Sequence, residues 1–295
     1  MSLRILLLLI VAVPALLLGI VVAFGMPVTM AGSGGVPVSR VAIERVGSAA
    51  AGLPEVSGPE DPSLPLVVID AGHGGRDLGA VGSGSDGQRV FEKDIVLAIA
   101  SALRKELLER GNLRVAMTRR DDTIIPLERR PEIARDLGAD LFVSIHADSA
   151  GLRDDVAGAS IYTLSNEASS EAAARFAERE NAADRLNGIA IEGQSEEVSA
   201  ILVELSQQFT QNEAAEFASL IEREGQSRIA FHPQARRSAA LAVLRAPDVP
   251  SVLLETGFVT NERDRARLTT AQGREEYAQV LARAIRIYFA SRPAS

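Results

Sequence analysis

Four side chains have types and settings that could do chemistry: His73, Glu92, His146 and Glu255. Two histidines and a carboxylate make a three-ligand zinc set that leaves one coordination position open. Zinc held in this way lowers the pKa of water to ~7 and polarises a carbonyl. A second carboxylate beside that water can take its proton and pass it to a leaving nitrogen, and Glu255 is the candidate. The reaction class is hydrolysis of an amide or peptide bond. The four residues do not form an H-E-x-x-H helix, so elements distant in the chain have to bring them together.

Those elements are legible as a pattern. A short apolar run from Leu66 ends at Asp70 and opens into a glycine-rich stretch that carries His73. Leu141–Ile145 is a second run and ends at His146; Ser251–Leu254 is a third and ends at Glu255. Glu92 opens a segment in which Ile95, Ile99, Leu103 and Leu107 recur every four positions, an amphipathic helix with Gly111 as its stop. In open α/β sheets ligands gather outside the carboxyl ends of the strands, so parallel neighbours would deliver all four residues to one rim. Further strands are expected over 113–118, 157–164 and 239–244, and helices over 127–137, after Asn261 and over 273–290. Alternation of this kind predicts a single α/β domain with a mostly parallel twisted sheet flanked by helices, plus a helical insertion.

The chain has 295 residues, 46% of them hydrophobic but only 4% aromatic, which predicts a large Leu/Ile/Val/Ala core. A net charge of −8 argues against nucleic acid as a partner. The absence of cysteine removes thiolate zinc sites and thiol nucleophiles. Residues 5–24 follow Arg4 without a charge, long enough for a membrane helix; a cleaved signal and an uncleaved inner-membrane anchor both fit, and either exports the rest of the chain. Residues 26–65, rich in Gly, Pro and Ser, read as a flexible linker, so that the catalytic domain is expected at 66–295.

The motifs Val68–Ala80, Glu92-Lys-Asp94, Val143–Asp148 and Ala246–Asn261 resemble, in order, those of the zinc-dependent N-acetylmuramoyl-L-alanine amidases of the periplasmic cell-separation type. The resemblance implies that His73, Glu92 and His146 hold zinc and that Glu255 is the catalytic carboxylate. It implies a substrate, the amide joining muramic acid to L-alanine in peptidoglycan, and a place in the periplasm. Leu78 stands where the family usually has proline, and Ser238-Ala-Ala-Leu241 replaces a more usual Gln-Ala-Gly-Phe, which bears on loop shape and substrate contacts. The amino-terminal targeting domain of many relatives has no counterpart.

The stretch of about 180–215 resembles the segment by which relatives block their own site until a LytM-type activator opens it, through Glu180–Asp184 and Ile201–Gln207. A helix over 196–211 is expected to cover the zinc, with Glu192 or Glu204 taking the open coordination position. Asp70 either orients a ligand histidine or serves as a turn residue. His232, before Pro233 and near Arg236 and Arg237, reads as a surface or supporting residue rather than a ligand. Two other functions compete: a zinc peptidase acting on soluble peptides, and a wall-binding protein without catalysis.

Overall fold

The computed structural model describes residues 52–84, 87–151, 155–182 and 200–292, with the side chains of 200–206 outside that description. In chain order the strands are β1 (Leu66–Ala71), β2 (Val81–Ser83), β3 (Arg89–Phe91), β4 (Arg114–Met117), β5 (Leu141–Asp148), β6 (Ala159–Leu164), β7 (Phe231–Ala239) and β8 (Ser251–Phe258). The helices are α1 (Glu92–Leu108), α2 (Arg129–Asp136), α3 (Glu171–Glu180), α4 (Ala200–Gly225), α5 (Glu262–Leu268) and α6 (Ala271–Ala290).

Six strands form one sheet in the order β4-β1-β5-β8-β6-β7, and β2 pairs with β3 in a separate hairpin. All the neighbouring pairs in the large sheet are parallel except β6 with β8. The central strands β1, β5 and β8 are covered on both faces, which is why they read as continuous apolar runs without alternation. One face packs against α1, α4 and α6 through residues such as Ile99, Leu103, Phe217 and Tyr277. The other packs against α2, α3 and the 3-10 turn Ala242–Leu244 through Ile133, Phe176 and Leu244. Full burial of a side chain such as Leu103 contributes about 1.5–3 kcal/mol.

The sequence expectation placed a strand over 239–244. The strand lies instead at 231–239, and Ala242–Leu244 turn inward to bury Val243 and Leu244. Pro233 and the exposed arginine side of β7 obscure it; both are tolerated because β7 is an edge strand, where one side of the ladder is unpaired. Pro131 falls in the first turn of α2, where the missing N–H leaves no helical bond unmade.

Of the linker expected over 26–65, residues 52–65 run down the outside of β4. Ser57 exchanges both backbone hydrogen bonds with Val115, at 2.8 and 2.9 Å. Above it Glu55 pairs with Arg120 at 3.0 Å, and below it Arg114 donates to the Leu64 carbonyl at 2.8 Å. The expected membrane segment, residues 5–24, lies outside the described residues. Among the described residues no helix is long and apolar enough to cross a membrane.

Candidate metal centre

The carboxyl ends of β1, β5 and β8 bring the four expected residues together. His146 and Glu255 are register partners on β5 and β8. His73 stands two residues beyond β1, and Glu92 opens α1 beside it. All four are buried, with exposures of 7% for His73, 3% for Glu92, 5% for His146 and 1% for Glu255.

His73 is the one non-glycine residue among those described with a positive φ, at 60°. That left-handed backbone costs roughly 1–2 kcal/mol for an L-residue and lets the loop turn the imidazole back over the strand end. Close approaches demand glycine nearby. A Cβ on Gly72 would lie 2.4 Å from His146 Cε1, and one on Gly79, which has φ +65°, would lie 2.5 Å from Glu92 Oε2.

His73 Nε2 lies 3.0 Å from Glu92 Oε1, and His146 Nδ1 lies 3.3 Å from the same oxygen. A fourth group that the sequence reading did not choose reaches the same point. Glu180, the last residue of α3, places Oε2 3.3 Å from His146 Nδ1 and 3.8 Å from His73 Nε2. Tetrahedral zinc with ligands at about 2.0–2.1 Å would hold them roughly 3.3 Å apart. The two histidine nitrogens nevertheless have no hydrogen-bond partner, although both are buried. Buried unpartnered imidazole nitrogens facing carboxylate oxygens are a donor set that suits a divalent cation. The donor atoms of His73, His146 and Glu180 all lie within 4.8 Å of one another.

The remaining polar atoms of these residues are tied down. Asp77 Oδ2 is 2.9 Å from His73 Nδ1, which fixes the ring so that Nε2 points into the centre. Glu92 accepts from the Ala80 N–H at 2.7 Å and from the Ala147 N–H at 2.8 Å. Asp70, offered by sequence as either an orienting residue or a turn residue, accepts from Thr118 at 2.6 Å and Ser144 at 2.7 Å, and pairs with Arg130 at 2.8 Å. Asp77, which shares the turn of His73, is the carboxylate on its ring at Nδ1, whereas Asp70 bonds Thr118, Ser144 and Arg130.

The electrostatics favour a cation. Burial opposes charge on His73, but Glu92 and Asp77 outweigh it and hold the imidazole pKa well above its ordinary value. Burial likewise opposes charge on Glu92, yet His73 and His146 hold its carboxyl far below the usual range. Glu255 is different. Burial, followed by Asp148, Glu92 and Glu180, pushes its pKa well up, and neither of its oxygens has a hydrogen-bond partner. Burial also raises Asp148 to about 7 against the pull of Arg179. The result is a dry carboxyl able to hold a proton, set beside a cluster of nitrogen and oxygen donors.

Glu192, one of the two residues expected to cap the centre, lies outside the described residues, and of Glu204 the helical backbone of α4 alone is described. Glu180 is held at the centre by its neighbours on both sides. Arg179 pairs with Asp148 at 2.5 Å, and the Asn181 side chain bonds Ala240 O and the Ala242 N–H, each at 2.8 Å. Neither Glu180 nor Asp77 was singled out by sequence, although Glu180 opens the stretch Glu180–Asp184 and Asp77 follows His73 by one helical turn's spacing in the same glycine-rich loop. His232 is not among the clustered donors His73, His146 and Glu180; its Nδ1 lies 2.7 Å from Arg237 Nη2.

A family model described as N-acetylmuramoyl-L-alanine amidase matches residues 67–286. The chain is 40% identical over 225 residues to the N-acetylmuramoyl-L-alanine amidase AmiA of Escherichia coli, covering 76% of each protein. It is 36% identical over 226 residues to an AmiC of the same species, covering 76% of this chain and 53% of that protein, so it spans about half the length of that relative. Among solved structures, the amidase AmiC2 of Nostoc punctiforme aligns with a TM-score of 0.53 at 28% identity, covering 77% of this chain and 97% of that one. The catalytic domain of CwlV, an amidase from Bacillus (Paenibacillus) polymyxa, aligns with a TM-score of 0.55 at 26% identity, covering 78% of this chain and all of that one.

Proposed function

Because the chain belongs to the N-acetylmuramoyl-L-alanine amidase family, we propose that it hydrolyses the amide between N-acetylmuramic acid and L-alanine in peptidoglycan, with zinc held by His73, Glu92 and His146 and with Glu255 as the catalytic carboxylate. The observation that carries this reading is the pair of buried, unpartnered nitrogens, His73 Nε2 and His146 Nδ1, converging on Glu92 Oε1. Zinc bound there supplies Lewis-acid polarisation of a carbonyl and a lowered pKa for water.

The chain's own residues do the rest. Glu255 takes a proton as the water oxygen bonds to the lactyl carbonyl carbon, and returns one to the L-alanine nitrogen as the C–N bond breaks. The products are the muramic acid carboxylate and a stem peptide with a free amino terminus. A carboxyl whose pKa is raised by burial and by neighbouring carboxylates suits this alternation, since proton transfer is most efficient when donor and acceptor are matched near the working pH. Asp77 keeps the His73 ring in the tautomer that leaves Nε2 free, and the Ala80 and Ala147 N–H groups hold the Glu92 carboxylate still.

Glu180 gives the site its restraint. Its carboxylate occupies the space where a substrate carbonyl would have to enter, and Arg179 and Asn181 fasten it from both sides. The protein therefore has only low basal activity until α3 is drawn back, the task of an activator with a LytM-type fold. It acts in the periplasm, in wall remodelling and daughter-cell separation, tethered to the inner membrane if residues 5–24 are retained. Digestion of purified peptidoglycan tests the reading: new L-alanine amino termini should appear, and should vanish when zinc is chelated. Absence of such termini from the zinc-loaded protein with Glu180 substituted would overturn it.

A further inference from the structure

One buried guanidinium ties the backbones of two of these residues together. Arg119 is 3% exposed. Its Nη2 donates both to Gly72 O at 2.7 Å and to Lys93 O at 2.9 Å. Gly72 immediately precedes His73, and Lys93 immediately follows Glu92. Nε donates to Ala71 O at 2.9 Å and Nη1 to Asp121 O at 2.8 Å, so these four bonds all end on backbone carbonyls. Neighbouring Arg130 also reaches this loop, bonding Ala71 O and His73 O at 2.8 Å each, but it touches the His73 side alone.

We propose that Arg119 is a positioning residue that sets the separation between His73 and Glu92, and so tunes the metal affinity of the centre; this rests on the zinc reading above. A metal site accepts ligand distances within about 0.2 Å of ideal, so slack between two ligand-bearing segments is paid in affinity. His73 adopts a left-handed backbone; its loop is held on its own side by the Gly72 N–H to Ile145 O bond and the Gly74–Asp77 bridge, and Asp77 orients the ring, whereas one nitrogen of Arg119 bonds the backbone both beside His73 and beside Glu92. A planar fork with several fixed donors can hold two carbonyls at a set spacing. Lysine's single rotatable ammonium has no counterpart to Nε and Nη1, so it cannot hold Gly72 O and Lys93 O while Ala71 O and Asp121 O fix its plane.

The test compares the full-length chain with Arg119→Lys and with Arg286→Lys, a part-buried arginine that bonds Glu106 in the packing of α1 against α6. Zinc affinity is read by competition with a chromophoric chelator, geometry by the visible spectrum of bound Co²⁺, and stability by the thermal midpoint of the metal-free protein. Arg119→Lys should weaken zinc binding at least tenfold and change the Co²⁺ band, while Arg286→Lys stays within twofold of the parent even where its midpoint falls as far. Arg119→Gln, whose amide nitrogen ends at the chain position of the arginine Nε and falls short of both Gly72 O and Lys93 O, gives the same comparison if the lysine variant does not fold. An affinity and Co²⁺ spectrum equal to the parent's would overturn the inference. A parent chain that binds no zinc would sink the metal reading and this inference together, whereas equal binding by parent and variant removes this inference alone.

Discussion

His146 and Glu255 stand directly opposite one another on adjacent parallel strands, in a register continuous from Phe142 against Ser251. On the proposed function, the metal side and the proton-handling side of the site would thus be set by one strand pairing. A slip by one residue would turn one of the two away from the rim, so the fully buried pairing of β5 with β8 specifies the chemistry as well as the core.

Glu255→Gln keeps the shape of the side chain and removes its proton chemistry. Amide hydrolysis should fall by about 10²–10⁴-fold, the range for a lost general acid–base, while zinc content is unchanged. Single-turnover digestion of peptidoglycan alongside metal analysis checks this; an equal loss of zinc would make Glu255 a ligand instead.

Glu180→Gln should have the opposite sign. Weakening a capping contact by about 1.4 kcal/mol raises the open fraction tenfold, so basal activity should rise by about that factor without any activator. A rate that falls would show Glu180 to be part of the machinery rather than its restraint.

Asp77→Ala frees the His73 ring to rotate. Loss of the group that orients a ligand histidine commonly costs 10–100-fold in metal affinity, and zinc titration of the variant should show a drop in that range with the fold retained.

Asp70→Asn leaves the Arg130 charge buried without its partner, at a cost of about 3–5 kcal/mol to unfolding. Burial opposes charge on Asp70, but Arg130, Thr118 and Ser144 outweigh it and hold its carboxyl below the ordinary value. Its contribution is therefore complete above the unfolded pKa of about 4 and disappears as pH falls through the lower native value. Denaturant titrations across that range should show a steeper acid loss in the parent than in the variant.

Leu66, Leu141 and Ser251 begin strands that are buried on both faces, and buried parallel strands announce themselves as unbroken apolar runs; the histidines and Glu255 at their ends were legible for that reason. Glu92 was legible because the four-residue period of α1 begins at it. β7 was misplaced because an edge strand need not be apolar, and its Pro233, Arg236 and Arg237 look like a loop. Asp77 and Glu180 are carboxylates in polar stretches, a commonplace of solvated surfaces; what distinguishes them is a distance of 2.9 Å or 3.3 Å to a histidine nitrogen, and spacing along a chain carries no such distance.

The strap over 52–65 also bears on how the molecule behaves in a crowd. β4 is the outermost strand on its side, and its free ladder groups at Val115 are taken by Ser57. An uncovered edge is a template on which a second chain can add its own strand. A chain cut back to Leu66 keeps every residue of the candidate metal centre but bares that template. It should self-associate in light scattering as its concentration rises, while a chain beginning at Gly52 stays monodisperse.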